Sequence, residues 1–481
     1  MNQISDTAYW LEHEKRTWPQ IWRRFGRILS LAVLSGMLLN CSPRMTSVSI
    51  PVDSPERFVE SGVQAVPEQW WTVFEDPQLN ALVDSALNSN FNLKTAWERL
   101  RAASAVADRE ASALFPSLDG SVHAERNRSQ SQFRDSEVLQ LGLSSEYEID
   151  LWGRIQSGLD AERFRAKASY ADYQTAALSL TAEIVRTWYQ LTEARNQLQL
   201  ANEQVEINEQ VLRLIKARFG SGLIRGVDIL RQEQLLEGTT GQKIAAEVRV
   251  QMLKHQLAVL LGQVPRQAFS DAADHLPELP PLPETGLPVE LVQRRPDVQS
   301  AFHLLQAADR ELASAISSRY PRLNLTASIS TAAINADKLF DDWAYSVAGS
   351  LLAPLFYGGQ INAEVDRSEA VRQQRLHQYG QAVLMAFREV EDALIQEQKQ
   401  AESIQSLESQ VRLSKQTYEQ LQLAYFNGMS NYLDVLTALD EQQRLQRDLL
   451  AANLELLEYR IALYRALAGG FETKRETDLP G

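Results

Sequence analysis

The sequence contains one cysteine, Cys41, and the residues before it are typical of a lipid-attachment signal. A polar segment that ends at Arg27 precedes an uncharged segment, 28–39, which is the order of regions in a secretory signal peptide. A thiol directly after such a segment can accept a diacylglycerol and become the new N-terminus. We therefore predict a signal peptide at 1–40 and a lipid on Cys41. The alternative is an unmodified thiol that happens to follow a signal peptide.

The residues beside Cys41 bear on processing and sorting. Asn40 stands where lipoprotein signals usually carry a small residue, which is expected to make processing less efficient. Ser42, in place of an aspartate, resembles the signal that sorts lipoproteins to the outer membrane. We therefore expect outer-membrane lipid to surround the anchored chain.

No residue pattern typical of a catalytic, cofactor or metal site occurs in the sequence. It has no glycine-rich phosphate loop, no HExxH and no nucleophile elbow, and its six histidines are scattered without ligand spacing. Methionine is equally rare, so a surface lined with soft ligands for copper or silver is not indicated. We therefore expect no enzyme activity, no cofactor and no bound metal.

The composition is that of an ordered protein, with 44% hydrophobic and 23% charged residues among 481. The net charge of −14 argues against nucleic acid as a partner, because nucleic-acid-binding proteins present basic surfaces. After Cys41 there is no run of 18 apolar residues. We therefore predict no membrane-spanning helix in the mature chain.

The chain contains one long residue pattern twice. Gly222 and Asp228 recur 206 positions later as Gly428 and Asp434. A period of this length excludes a solenoid and indicates two large copies. The predicted divisions are a leader (41–69), a first repeat (70–276), a proline-rich linker (277–288), a second repeat (289–471) and a polar tail (472–481).

Each copy is predicted to contain a helix, two strands, a long helix, a sharp turn and a returning helix. Residues 78–113 have no proline or glycine and are predicted to form one helix. Residues 154–219 predict a helix of about 100 Å. Its apolar residues recur at the heptad spacing of coiled coils: Ile184, Leu191, Leu198, Val205 and Leu212. The returning helices, 228–262 and 434–467, are shorter, so we expect helix 78–113 to stack end to end on the first of them.

Around residues 139–151 the apolar pattern changes from helical to alternating. Leu143 and Tyr147 lie on one face of the predicted strand, and Glu146 and Glu148 lie on the other. A half-exposed soluble sheet also alternates. A row of carboxylates opposite a row of apolar residues is, however, typical of a barrel strand with lipid outside and a wet lumen inside. The pattern favours the barrel and leaves the soluble sheet as the alternative.

Counting strands predicts the oligomer. Each copy offers two barrel strands, so one chain offers four, which cannot close a barrel, and open edges are not tolerated in lipid. A dimer would give about eight strands, too few for an open pore, whereas a trimer gives about twelve. We therefore predict a homotrimer of internally duplicated chains. Its fold class is a mixed α and β membrane protein, a trimeric 12-stranded β-barrel continued by a helical coiled-coil barrel.

Four segments, spread over most of the mature chain, resemble one protein family: Trp70–Leu79, Tyr147–Arg154, Arg295–Val298 and Ala386–Leu394. They resemble TolC-like outer-membrane efflux proteins, in particular the lipoprotein branch that serves resistance-nodulation-division (RND) transporters. The resemblance implies a lipid-anchored trimeric barrel in the outer membrane of a Gram-negative bacterium, with most of the chain in the periplasm. It also implies a passive exit duct, closed at its inner tip until a periplasmic adaptor (a membrane fusion protein) and an inner-membrane RND transporter engage it.

The resemblance assigns a periplasmic gate to the two sharp turns. In the family, aspartates just after each turn line the tip and constrict it, and Asp228 and Asp434 occupy those places. Tyr425 matches a tyrosine that helps to latch neighbouring coils, and Thr437 stands where some relatives have a second aspartate. The alternative is that both aspartates only favour the first turn of a helix, where a carboxylate suits the dipole.

Two other functions stand as alternatives. A duct for type I protein secretion would share the features above. A structural periplasmic lipoprotein without a pore would keep the coiled coils but would lack the continuous apolar face of the strands. The transported substrate is not encoded in the duct, because the pump selects it.

Overall fold

The structure is a computed structural model of the chain, and it describes residues 52, 55–128, 135–222, 224–265 and 275–476. The predicted signal peptide and Cys41 lie outside these residues. The chain divides into two compact units. The strand unit contains the described residues within Ala107–Glu162 and Ala307–Arg372, and the helical unit contains those within Ile50–Val106, Arg163–Gln306 and Gln373–Gly481.

The two repeats have the same order of elements. The first repeat contains helices α1 (Pro77–Ser89) and α2 (Phe91–Ala111), strands β1 (Asp119–Arg128) and β2 (Asp135–Ile149), and helices α3 (Arg154–Gly220) and α4 (Gly226–Leu260). The second contains α5 (Pro288–Arg294), α6 (Pro296–Ser317), β3 (Arg322–Ala333), β4 (Trp343–Leu352), α7 (Gln360–Phe426) and α8 (Tyr432–Leu467). The predicted order from the strands onward and the long uninterrupted α3 are confirmed.

The single helix predicted over 78–113 is wrong, because the chain forms two helices, α1 and α2, that meet at Asn90. The Asn90 side chain accepts a hydrogen bond from the backbone N–H of Leu93 at 3.0 Å and so caps α2. Its amide nitrogen donates to the carbonyl of Leu260 at 2.9 Å, at the end of α4. Helix α2 therefore begins where α4 ends, so the end-to-end arrangement predicted for 78–113 holds for its second part alone.

The strand unit is built on one antiparallel sheet in the order β1-β2-β3-β4. Residues directly opposite each other share a face, and Leu143, Ile329 and Tyr345 form one such row across three strands. The neighbouring rows of that face are also largely apolar, with Val347 in one of them. Tyr345 is 84% exposed, so the apolar face is uncovered within the single chain. The predicted alternation is confirmed.

The helical unit packs around a hydrophobic core to which α3 contributes and which includes several aromatic side chains. Trp70, Trp71 and Phe74 are buried, and the Trp70 ring stacks on that of Tyr464 at 6.1 Å between centroids. Of the heptad residues predicted on α3, Ile184 and Leu191 are among the fully buried side chains, and the other three are partly buried. Across the part of the chain that the structure describes, no helix combines the length and the apolar character needed to cross a membrane.

Candidate functional site

The two turns predicted to carry the site have the same backbone conformation. Helix α3 ends at Gly220 and α7 ends at Phe426, and each is followed by a glycine with a φ of 75°, Gly222 and Gly428. This left-handed conformation costs other residues free energy but not glycine, which explains the glycine at both positions. The repeat seen in the sequence is therefore a repeat in local structure.

Asp228 lies in the first turn of α4, where its charge is enclosed by basic side chains. The side chain is only 5% exposed, and its Oδ1 lies 3.5 Å from Arg225 and 3.6 Å from Arg231. The backbone N–H of Asp228 donates to the carbonyl of Arg225 at 3.0 Å. These contacts fix the carboxylate against the start of its own helix, where the helix dipole also favours a negative charge.

Asp434 occupies the equivalent place on α8 but has different surroundings. Its side chain is half-buried, and its Oδ2 accepts a hydrogen bond from the Ser430 hydroxyl at 2.9 Å. Its backbone N–H donates to the side-chain oxygen of Asn431, the N-cap, at 3.1 Å. Over the described ranges, no Lys or Arg forms an ion pair with Asp434. The two aspartates are equivalent in sequence but not in electrostatic environment.

Tyr425 connects the ends of the two long helices. The guanidinium of Arg218, in the last turn of α3, lies 5.0 Å from the centre of the Tyr425 ring, within the range of a cation–π interaction. On the other side, the Tyr425 ring lies 5.7 Å from the ring of Tyr432, the first residue of α8. Burial raises the pKa of the Tyr425 hydroxyl above its ordinary value, and the charge of Arg218 opposes that shift.

Asp228, Asp434 and Tyr425 are the three residues that the sequence predicts for the site. The structure brings all three to one end of the helical unit. Sequence reasoning missed Arg218 and Tyr432, which join the two hairpins there. A partial signal existed, because both residues flank the predicted turns. Arg218 contacts Tyr425, and Tyr432 donates a hydrogen bond to Gln232. Each of these contacts joins positions about 200 residues apart in the chain, which no local pattern reports.

Comparison with known proteins gives one family. A sequence model of the family described as outer membrane efflux protein matches residues 82–263 and 287–469, one match for each repeat. The pyoverdine export outer membrane protein OpmQ of Pseudomonas aeruginosa is 31% identical over 93% of this chain and 98% of its own. The toluene efflux pump outer membrane protein TtgI of Pseudomonas putida is 28% identical, over 84% of this chain and 87% of its own.

Solved structures agree with these sequence matches. The outer-membrane channel OprN has a TM-score of 0.82 and 28% identity, covering 89% of this chain and 99% of its own. The open state of the MtrE outer membrane channel of Neisseria gonorrhoeae has a TM-score of 0.80 and 25% identity, covering 90% and 98%.

Proposed function

Because this chain belongs to the outer membrane efflux protein family, we propose that three copies assemble into one passive exit duct for small organic molecules. The chain itself is an outer-membrane efflux channel by family and by fold, with four strands for a barrel and two long helical hairpins. The names of its relatives, which export pyoverdine or belong to a toluene efflux pump, support small molecules as the cargo.

One observation carries the trimer. Among the described residues of one chain, the four-stranded sheet leaves β1 and β4 each with an unpaired edge, and its apolar face is exposed. Lipid can cover the apolar face, but it cannot satisfy the hydrogen bonds of an open edge. Three copies joined β4 to β1 would close a barrel of about twelve strands, an even number within the range of bacterial barrels.

We propose that the helical turns form the gate of this duct, with different roles for the two aspartates. Asp434 is half-exposed, so three copies would bring three carboxylates toward the narrowest part of the duct. Asp228 is buried between Arg225 and Arg231, and we assign it to holding the first turn of α4. Tyr425, with Arg218 against its ring, would hold the two hairpins of each chain together.

The partners proposed for the duct are a periplasmic adaptor and an inner-membrane RND transporter. Relatives that belong to solvent and toluene efflux pumps support this pairing. We further propose that a lipid on Cys41 anchors the chain to the outer membrane.

The function is tested in a Gram-negative strain that lacks its own efflux duct. Expression of this chain together with an RND pump and adaptor should restore resistance to small toxic compounds, and the purified protein should conduct ions in planar bilayers. Pairing it instead with an ABC exporter tests protein secretion. Restored secretion without restored resistance would replace the proposal with type I secretion, and a protein that neither conducts nor restores either process would refute a duct.

A further inference from the structure

A fully buried polar residue interrupts the apolar seam of α3 near the turns. Asn208 falls at the seam position between Ala201 and Ile215, each seven residues away, and all three side chains are buried. In coiled coils, a polar residue at one seam position costs stability and specifies how the helices align. Asn208 lies twelve residues before the end of α3, which places it roughly 18 Å along the helix from the turn.

The partners of Asn208 come from both returning helices. Its amide nitrogen donates to the hydroxyl of Thr239 on α4 at 2.9 Å and to the side-chain oxygen of Gln443 on α8 at 3.1 Å. Gln232 on α4 donates to the backbone carbonyl of Asn208 at 3.1 Å. All four side chains are buried. We call Asn208, Gln232, Thr239 and Gln443 the polar layer.

The polar layer is joined directly to the proposed gate. The hydroxyl of Tyr432 donates to the side-chain oxygen of Gln232 at 2.5 Å. Tyr432 is itself buried, is the first residue of α8 and precedes Asp434 by two positions. A chain of hydrogen bonds therefore runs from α3 through α4 to the helix start that carries Asp434.

We infer that Asn208, Gln232 and Gln443 are positioning residues for the gate: the polar layer holds the start of α8, and with it Asp434, in one register against the α3–α4 hairpin. This inference rests on the proposed function of the turns. Satisfied inside the protein, the layer specifies one alignment, because any shift leaves buried groups unpaired. When the hairpins separate, the same groups can bond to water, so opening at this layer costs less than opening an apolar layer of the same size.

The first test replaces the three amide side chains of the layer, and the tyrosine joined to them, with apolar side chains. In Asn208→Leu/Gln232→Leu/Gln443→Leu/Tyr432→Phe, these groups are removed together, and the Thr239 hydroxyl keeps its bond to the Leu235 carbonyl. Replacing hydrogen-bonded partners together with apolar groups of similar shape is often neutral or stabilising. We expect the thermal midpoint of the purified protein to stay or rise. The open fraction of single channels in planar bilayers should fall by about tenfold, with a matching loss of efflux.

The second test removes one contact and leaves its partners buried. Tyr432→Phe deletes only the hydroxyl that donates to Gln232. Gln232→Ala removes the donor to the Asn208 carbonyl and leaves the buried Tyr432 hydroxyl without its acceptor. Both should raise the open fraction and let vancomycin enter cells. The loss of one buried hydrogen bond is worth about 1 kcal/mol, which is roughly a fivefold change for Tyr432→Phe. Gln234→Ala, at an exposed position of the same helix, is the matched control and should behave like the wild type.

The outcomes separate the inference from the proposed function. A purely structural layer would change the thermal midpoint in these variants but leave the open fraction and vancomycin entry unchanged, and that result would overturn the inference. If the variant with four substitutions does not fold, the comparison of Tyr432→Phe with Gln234→Ala still tests whether the layer positions the gate. A wild-type protein without conductance would instead refute the duct, before any variant is compared.

Discussion

At the scale of single residues, Asp228 and Asp434 show how one sequence position can serve two purposes. Both begin a helix after a glycine turn, where a carboxylate suits the helix dipole. Only Asp228 is buried between two arginines, so its charge is compensated within the chain. The Asp434 carboxylate accepts a hydrogen bond from the Ser430 hydroxyl, and its backbone N–H donates to the Asn431 side chain. Neither contact neutralises the carboxylate, so its charge can attract nearby ions.

This difference predicts different effects of two alanine variants. Asp434→Ala should raise single-channel conductance and lower the preference for cations, because carboxylates in a narrow pore attract cations. Asp228→Ala should instead lower the free energy of unfolding by about 1 kcal/mol through the lost first-turn carboxylate, with cation preference near that of the wild type. Equal shifts of selectivity in both variants would show that Asp228 also faces the pore.

The predicted lipid on Cys41 has its own test. Radiolabelled palmitate should enter the wild-type protein and not Cys41→Ser, because the thiol is the acceptor of the lipid. The serine variant should retain much of its efflux, since a closed barrel would itself hold the protein in the membrane. Equal labelling of both proteins would contradict the lipoprotein assignment.

At the scale of elements, a feature can be predicted from the sequence when local residues determine it, and not when contacts between distant residues do. The strands were predictable, because the alternation of β2 reflects its own two faces. The break at Asn90 was not, because it depends on a side chain that caps α2 and also bonds to Leu260. The polar layer is not predictable for the same reason, because Gln232 and Gln443 are matched to Asn208 only by the fold.

The junction between α2 and α4 gives a prediction with a matched control on the same segment. Gly262 follows α4 with a φ of +68°, and a Cβ there would lie 2.8 Å from the carbonyl oxygen of Ser89. Gly262→Ala should therefore cost about 2 kcal/mol or more. Gly241→Ala, inside α4 with open space around it, should stabilise by about 1 kcal/mol. Thermal unfolding should move in opposite directions for the two variants; a shared direction would mean that the junction does not form.

At the scale of the whole molecule, both the sheet and the helices need further copies of the chain to cover their exposed surfaces. Two sheet edges have no pairing strand within the part of the chain that the structure describes. Residues on α4 such as Ile244, Val248 and Met252 are also exposed there, at four-residue spacing. Further copies of the chain would cover both surfaces. The detergent-solubilised protein should scatter light with a protein mass close to three chains of 54.2 kDa, less their signal peptides. A stable monomer would contradict the closure argument.

The two faces of the sheet allow a direct test of barrel against soluble sheet. Val347 and Ala348 are neighbours near the middle of β4 that point to opposite faces, and both are exposed in the single chain. If the apolar face meets lipid, Val347→Arg places a charge near the bilayer centre at a cost of about 2–4 kcal/mol. Trimer yield in the outer membrane should then fall. Ala348→Arg would lie in the wet lumen, so yield should persist while cation preference drops. Equal tolerance of both arginines would favour the soluble sheet, because with water on both faces the two substitutions would have similar free-energy costs.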